Sequence, residues 1–224
     1  SIDAPIYPRR GSMFNLSVQA TPPYSFFNDK DYATIPNEEK YKWIEYIKPK
    51  FTADWYLNFG NSSRFAKNLV LHPKAEFGIL FPWTKDLISP FEGFSVGGDG
   101  WAMINYGTEI IGLRGYDNGT LTPDEGGNVY NKFALELRYP LSLNPAATFY
   151  LIGFVEGGNA WYEHRNYNPF DIKRSAGIGV RIFLPMFGML GVDYGYGFDT
   201  VYDSKGFDKG VNKGQFHFMI GQQF

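Results

Sequence analysis

Arg114 stands inside a glycine-rich stretch, EIIGLRGYDNG at residues 109–119, and two carboxylates follow it at Glu136 and Glu156. A guanidinium presents five donors in a planar fork, and a carboxylate accepts two of them at once. On residue types alone the arginine has three outlets: an external anion, a surface ion pair, or a carboxylate reached by folding the loop back. Gly115, next to it, permits a sharp turn and close backbone approach, and Tyr116 adds an aromatic.

Other chemistry finds little footing. No Gly-x-Ser-x-Gly occurs, and the absence of cysteine removes both thiolate chemistry and a disulfide framework. His72, His164 and His217 are scattered without metal-ligand spacing. GGDG at residues 97–100 lacks the Lys-Ser/Thr tail of a phosphate loop. The expectation is a protein that is not an enzyme and takes neither cofactor nor metal. A net charge of −2 implies no broad basic face for nucleic acid.

The elements that must position these residues are legible as alternation. Phe14, Leu16, Val18 and Ala20 oppose Asn15, Ser17, Gln19 and Thr21. Trp43, Ile47, Phe51, Ala53, Trp55, Leu57 and Phe59 oppose Lys48, Lys50, Thr52, Asp54 and Asn58, with Glu45 out of step near the end. Leu69, Leu71, Ala75, Phe77, Ile79 and Phe81 oppose Asn68, His72, Lys74 and Glu76. Phe133, Leu135, Leu137 and Tyr139 oppose Glu136 and Arg138; residues 148–162 form a fifth run containing Glu156. Ala176 to Leu184 oppose Gly177, Gly179 and Arg181, and Leu190 to Phe198 oppose Gly191, Asp193, Gly195, Gly197 and Asp199. The eighth run, residues 215–224, aligns Phe216, Phe218, Ile220 and Phe224, with Gly221 interrupting it.

Runs of about 8 to 19 residues exceed the usual globular strand of about 5 or 6. Aromatics gather toward their ends, at Trp43 and Phe59, Phe65 and Trp83, Phe216 and Phe224. That girdle fits tilted membrane strands, and the charged faces suit a wet lumen. A soluble β-sandwich also alternates, but it accounts for neither the strand length nor the loops. Connections alternate between long (residues 24–40, 84–130, 163–174 and 200–213) and short (60–64, 142–147 and 185–188). Outer-membrane barrels have long extracellular loops and short periplasmic turns. The predicted fold is therefore all-β, an antiparallel transmembrane barrel. Eight strands alone enclose an interior filled by side chains. The many inward charges and the long loop at 84–130 point instead to part of a larger barrel.

Several stretches, taken in order, resemble the BamA-like outer-membrane assembly factors of the bacterial surface antigen superfamily. GLRGY at 112–116, followed by NGTLTP, is similar to that family's Val-Arg-Gly-Phe/Tyr loop signature. FALELRYPL at 133–141 resembles the strand after the loop, with Glu136 at its acidic position; GFVEGGNAW at 153–161 is similar to the next motif, with Glu156 for the commoner Asp. SAGIGVRIFLP, GMLGVDYGYGF and FHFMIGQQF resemble the last three strands, and PIYPRRGS at 5–12 the Pro-x-x-Gly lead into a mid-barrel strand. The departures are Leu113 before the arginine, Tyr116 for Phe and Glu156 for Asp.

The resemblance implies that residues 1–224 are the C-terminal part of one barrel domain, about eight strands of roughly sixteen, with the earlier strands and the periplasmic POTRA modules absent from this chain. The loop is expected to fold into the lumen, with Arg114, Gly115 and Tyr116 clamped through Glu136 and Glu156. The last strand, with Phe216, Phe218, Ile220, Gly221 and Phe224, is expected to form a lateral seam with the first. The implied function is insertion of β-barrel proteins into the bacterial outer membrane. Its partners are unfolded barrel clients, outer-membrane lipids and accessory lipoproteins, and no nucleic acid. A polypeptide-exporting relative and a passive porin are the alternatives.

Overall fold

Period-two alternation places one face of each run in a common sheet surface, and in the computed structural model the eight runs pair into one antiparallel sheet. The structure describes residues 1–28, 30, 32–60, 66–84, 87–100, 107–203, 205–209 and 214–221. Phe65 and Phe224 of the expected girdle and seam lie outside the described residues.

The strands are β1 (Gly11–Ala20), β2 (Ile47–Asn58), β3 (Val70–Ile79), β4 (Phe94–Val96), β5 (Glu109–Ile111), β6 (Val129–Asn144), β7 (Ala147–Trp161), β8 (Lys173–Leu184), β9 (Gly188–Gly197) and β10 (Gly214–Ile220). The large sheet runs β1-β2-β3-β6-β7-β8-β9-β10, each strand antiparallel to the next, so β1 and β10 are its edges. The pair β4-β5 is separate, short and parallel, and lies within the long loop between β3 and β6. The sequence pattern had shown no strand there.

Turn chemistry explains the tight end of the sheet. Pro145 and Ala146 join β6 to β7, and the Asn144 side chain accepts from Ala146 N at 2.9 Å, an Asx turn. Pro140 has no N–H to give the ladder, and the β6 register shifts between Pro140 and Ser142.

One run is shorter than alternation suggests. β2 begins at Ile47, so Trp43 falls outside it and packs on Tyr24 at 5.2 Å between ring centres. Glu45, the out-of-step residue, is buried because it accepts hydrogen bonds from the Ser25 backbone N–H and hydroxyl. After Ile220, Gly221 adopts φ +75°, a left-handed conformation that interrupts an extended run.

The two faces differ sharply. Leu16, Leu57, Phe133, Leu137, Ile178 and Phe218 are exposed on the outer face. On the inner face Lys48, His72, Glu136, Arg138 and Asp193 are buried. Among the described residues these charges pack against one another, and a cavity of about 330 Å³ is lined in part by Lys50, Asp54, Lys74 and Lys132. Neutral filler is present as well. Tyr7, Tyr56, Tyr150, Phe154, Met189 and Met219 form a cluster toward the short-turn end, joined by Ile2 and Ile6 of the segment before β1. Tyr7 donates to the backbone oxygens of Arg138 (3.0 Å) and Asn68 (3.2 Å), fixing that segment against the sheet.

Candidate functional site

The loop between β3 and β6 is built to lie on the inner face. Its apolar residues Phe94, Val96, Ile111, Leu113 and Leu121 pack with Leu80, Tyr130, Ala160 and Val201 in a second buried cluster. Burying five such side chains, each worth roughly 1.5–3 kcal/mol, holds the loop body before any charge is considered. Backbone bonds brace the tip: Leu113 and Gly98 exchange N–H···O bonds of 3.0 and 3.1 Å, and Leu121 N donates to Val96 O at 3.1 Å. Glu109 of β5 pairs with Lys48 at 3.4 Å and also with Lys50, tying the loop to β2.

Arg114 projects from this tip and is wholly buried. Its Nη2 donates to Glu136 Oε1 at 2.8 Å and Glu156 Oε1 at 2.5 Å, and its Nη1 to Asp193 Oδ2 at 2.9 Å. Its backbone N–H adds a bond to Glu156 Oε2 at 3.0 Å, and the guanidinium lies over the Phe154 ring at 3.6 Å. Burial disfavours the charged guanidinium, but Glu156, Glu136 and Asp193 outweigh it and hold the group protonated above its usual range.

The carboxylates converge because of register. Ala134 pairs with Glu156, which puts Glu136 two residues along β6 on the same face, and Asp193 arrives from β9. Each has a second cation: Arg138 Nη2 meets Glu136 at 2.7 Å, Lys132 meets Glu156 at 3.7 Å and Arg181 meets Asp193 at 2.5 Å. Arg138 also donates to His72 Nδ1 at 2.7 Å, leaving His72 Nε2 to donate to Asp54 at 2.8 Å.

Gly115 and Tyr116 complete the tip. Gly115 has φ +89°, and a Cβ there would lie 2.9 Å from Gly197 N. A Cβ at Gly195 would stand 2.6 Å from Gly115 N. The glycines of β9 therefore form a seat that admits the loop backbone. Tyr116 Oη donates to Arg174 O at 2.7 Å and accepts from Asp199 N at 3.3 Å. Burial raises the Tyr116 phenol to about 12, so it remains a donor at neutral pH. Gly115 N–H donates to His217 Nε2 of β10 at 2.8 Å, and His217 Nδ1 bonds Asp99.

Arg114, Glu136 and Glu156 thus meet, with Gly115 and Tyr116 alongside. Phe216, Phe218 and Ile220 are elsewhere, exposed on the outer face of β10. Sequence reasoning passed over Asp193, Glu109, the glycine seat and His217. Asp193 had an inward position by alternation, which was the available signal. Among the described residues, no group of three or more His, Cys, Asp and Glu is placed to hold a metal ion.

The class these features define is an antiparallel sheet of the barrel-forming kind, apolar outside and charged within, with its own loop docked on the inner face. The chain belongs to the Omp85 superfamily, whose domain it matches over residues 1–224. Its fold is similar to the crystal structure of BamA from Haemophilus ducreyi lacking POTRA domains 1-3, with a TM-score of 0.61 and 16% sequence identity. The match covers 98% of this chain and 40% of that one, so the chain spans less than half of that structure. No curated protein matches in a sequence search.

Proposed function

We propose that this chain is the C-terminal part of an outer-membrane β-barrel that assembles and inserts other β-barrel proteins. The superfamily match over the whole length supports an outer-membrane location and a role in barrel assembly. In this reading the outer face meets lipid, the long loops lie outside the cell and further strands complete a barrel of roughly sixteen, since an unpaired strand edge in hydrocarbon is not viable. Arg114, Gly115, Tyr116, Glu136 and Glu156 act as the clamp that keeps the loop in the lumen. Unfolded barrel clients, outer-membrane lipids and accessory lipoproteins are its partners.

The observation that carries the seam reading is the place of β10: among the described residues it pairs with β9 on one side and forms an edge of the sheet, with a left-handed glycine at Gly221. An edge strand presents a row of unpaired backbone N–H and C=O groups, so an incoming strand can pair there by β-augmentation. A passive pore is less well supported, because the inner face of the described residues is covered by a docked loop and a tyrosine-rich cluster.

The test places a photo-crosslinking side chain at Phe216 and at Phe218 in the full polypeptide during client assembly. Client adducts on β10 are expected. Adducts equally frequent at Leu137, in mid-sheet, would remove the seam from the account.

A further inference from the structure

We propose that His217 is a positioning residue that ties the terminal strand to the docked loop, and that it does so only as the neutral imidazole. The inference rests on the lateral-seam reading given above. β10 is held along one edge by β9 alone, in a ladder from Gly214 to Ile220. From the inner face Met219 packs in the tyrosine-rich cluster, and His217, buried and bonded at both ring nitrogens, joins the strand to the loop.

The donor pattern fixes the tautomer. Gly115 N–H can only donate, so Nε2 must offer its lone pair, and Nδ1 carries the proton toward Asp99. A second proton at Nε2 sets one N–H against another and breaks the bond to Gly115. Gly115 cannot shift to recover it, because its backbone is wedged against Gly195 and Gly197. The loop cannot follow either, because Arg114, the adjacent residue, is fixed to Glu136, Glu156 and Asp193.

The charges around the ring come from three elements. Asp99 of the loop and Asp193, the register partner of His217 on β9, are the anionic groups. Arg114 of the loop and Arg181 of β8, both bonded to Asp193, are the cationic ones. Acidification therefore frees β10 from the loop while the Arg114 clamp stays closed. Docking of the loop and tethering of the edge strand are separable.

The chain has no cysteine, so a single introduced one reports on this strand alone. Met219→Cys, at a buried position on the inner face of β10, is labelled with a maleimide in the full polypeptide reconstituted in vesicles, between about pH 8 and pH 5 where histidine changes charge. Labelling, corrected for thiolate reactivity with a free thiol, is expected to rise roughly fivefold on acidification, the equivalent of one hydrogen bond. His217→Gln offers a neutral acceptor and donor at similar reach, and should hold labelling low at every pH. His217→Phe should raise it at every pH. A flat wild-type profile, or a rise that persists in His217→Gln, overturns the proposal. Client folding measured in the same vesicles separates the two readings. If labelling follows His217 and client folding does not, the tether stands and the seam loses its part in insertion.

Discussion

Replacing Arg114 with alanine should undock the tip of the loop, and the size of the effect follows from what each carboxylate retains. Removing one partner of a buried ion pair costs about 3–5 kcal/mol when it leaves an uncompensated charge. Here Glu136 keeps Arg138, Glu156 keeps Lys132 and Asp193 keeps Arg181. Around the three carboxylates the intact site has four cations, and the variant has three. The remaining cluster is balanced, which places the cost at the low end, about 3 kcal/mol, or roughly 100-fold in the loop's opening equilibrium. Lysine at this position keeps the charge but not the planar fork, and one ammonium cannot serve three carboxylates as the guanidinium does. Arg114→Lys should fall between the two. The assay is the rate at which external protease cuts the loop in the folded full polypeptide, under conditions where opening is rapid relative to cleavage. A change of under about threefold for Arg114→Ala would refute the reasoning, because the apolar cluster alone would then be sufficient to dock the loop.

The same assay reads the remaining variants. Gly195→Ala places a methyl 2.6 Å from Gly115 N and should open the loop by about 1–3 kcal/mol, with the strands themselves intact by circular dichroism. Tyr116→Phe loses the bond to Arg174 O, which keeps its bond from Phe198 N, and the bond accepted from Asp199 N, a cost of about 1 kcal/mol seen as roughly fivefold faster cleavage. Because burial raises the Tyr116 phenol to about 12, the undocked loop ionises first, and docking should weaken as pH rises from about 10 toward about 12; Tyr116→Phe should remove that limb. At the acid end, the Arg174 hydrogen bond lowers the Asp199 carboxyl, so its contribution is full above the ordinary carboxylate range and is lost as pH falls through the lowered value. Asp199→Asn should remove that one contribution from the acid limb of the protease profile and leave the part set by the Arg114 clamp.

How much of this was legible in the sequence depended on how local each signal is. Alternation is a property of one strand, so the eight strands of the sheet and the inward positions of Lys48, His72, Glu136 and Arg138 could be read directly. Glu136 and Glu156 lie on consecutive strands, and one register relation brings them together. Asp193 lies two strands further, and its approach to Arg114 depends on the course of the loop, which no period encodes. The glycines of β9 read as a weak polar face; only the packed structure shows that they admit the Gly115 backbone. The inward charges suggested water, while Tyr56 and Tyr150, also inward by alternation, fill space between them. β4 and β5 have three residues each, too few for a period to register. Trp43 and Glu45 show where alternation continues by chance past the true end of a strand.

The most direct test of the central claim reconstitutes the full polypeptide in liposomes and follows the folding of a urea-unfolded outer-membrane barrel, with Arg114→Ala alongside. The account predicts faster client folding that the substitution abolishes, without solute leakage. Leakage with no gain in client folding would contradict it and would identify a channel or a dedicated exporter.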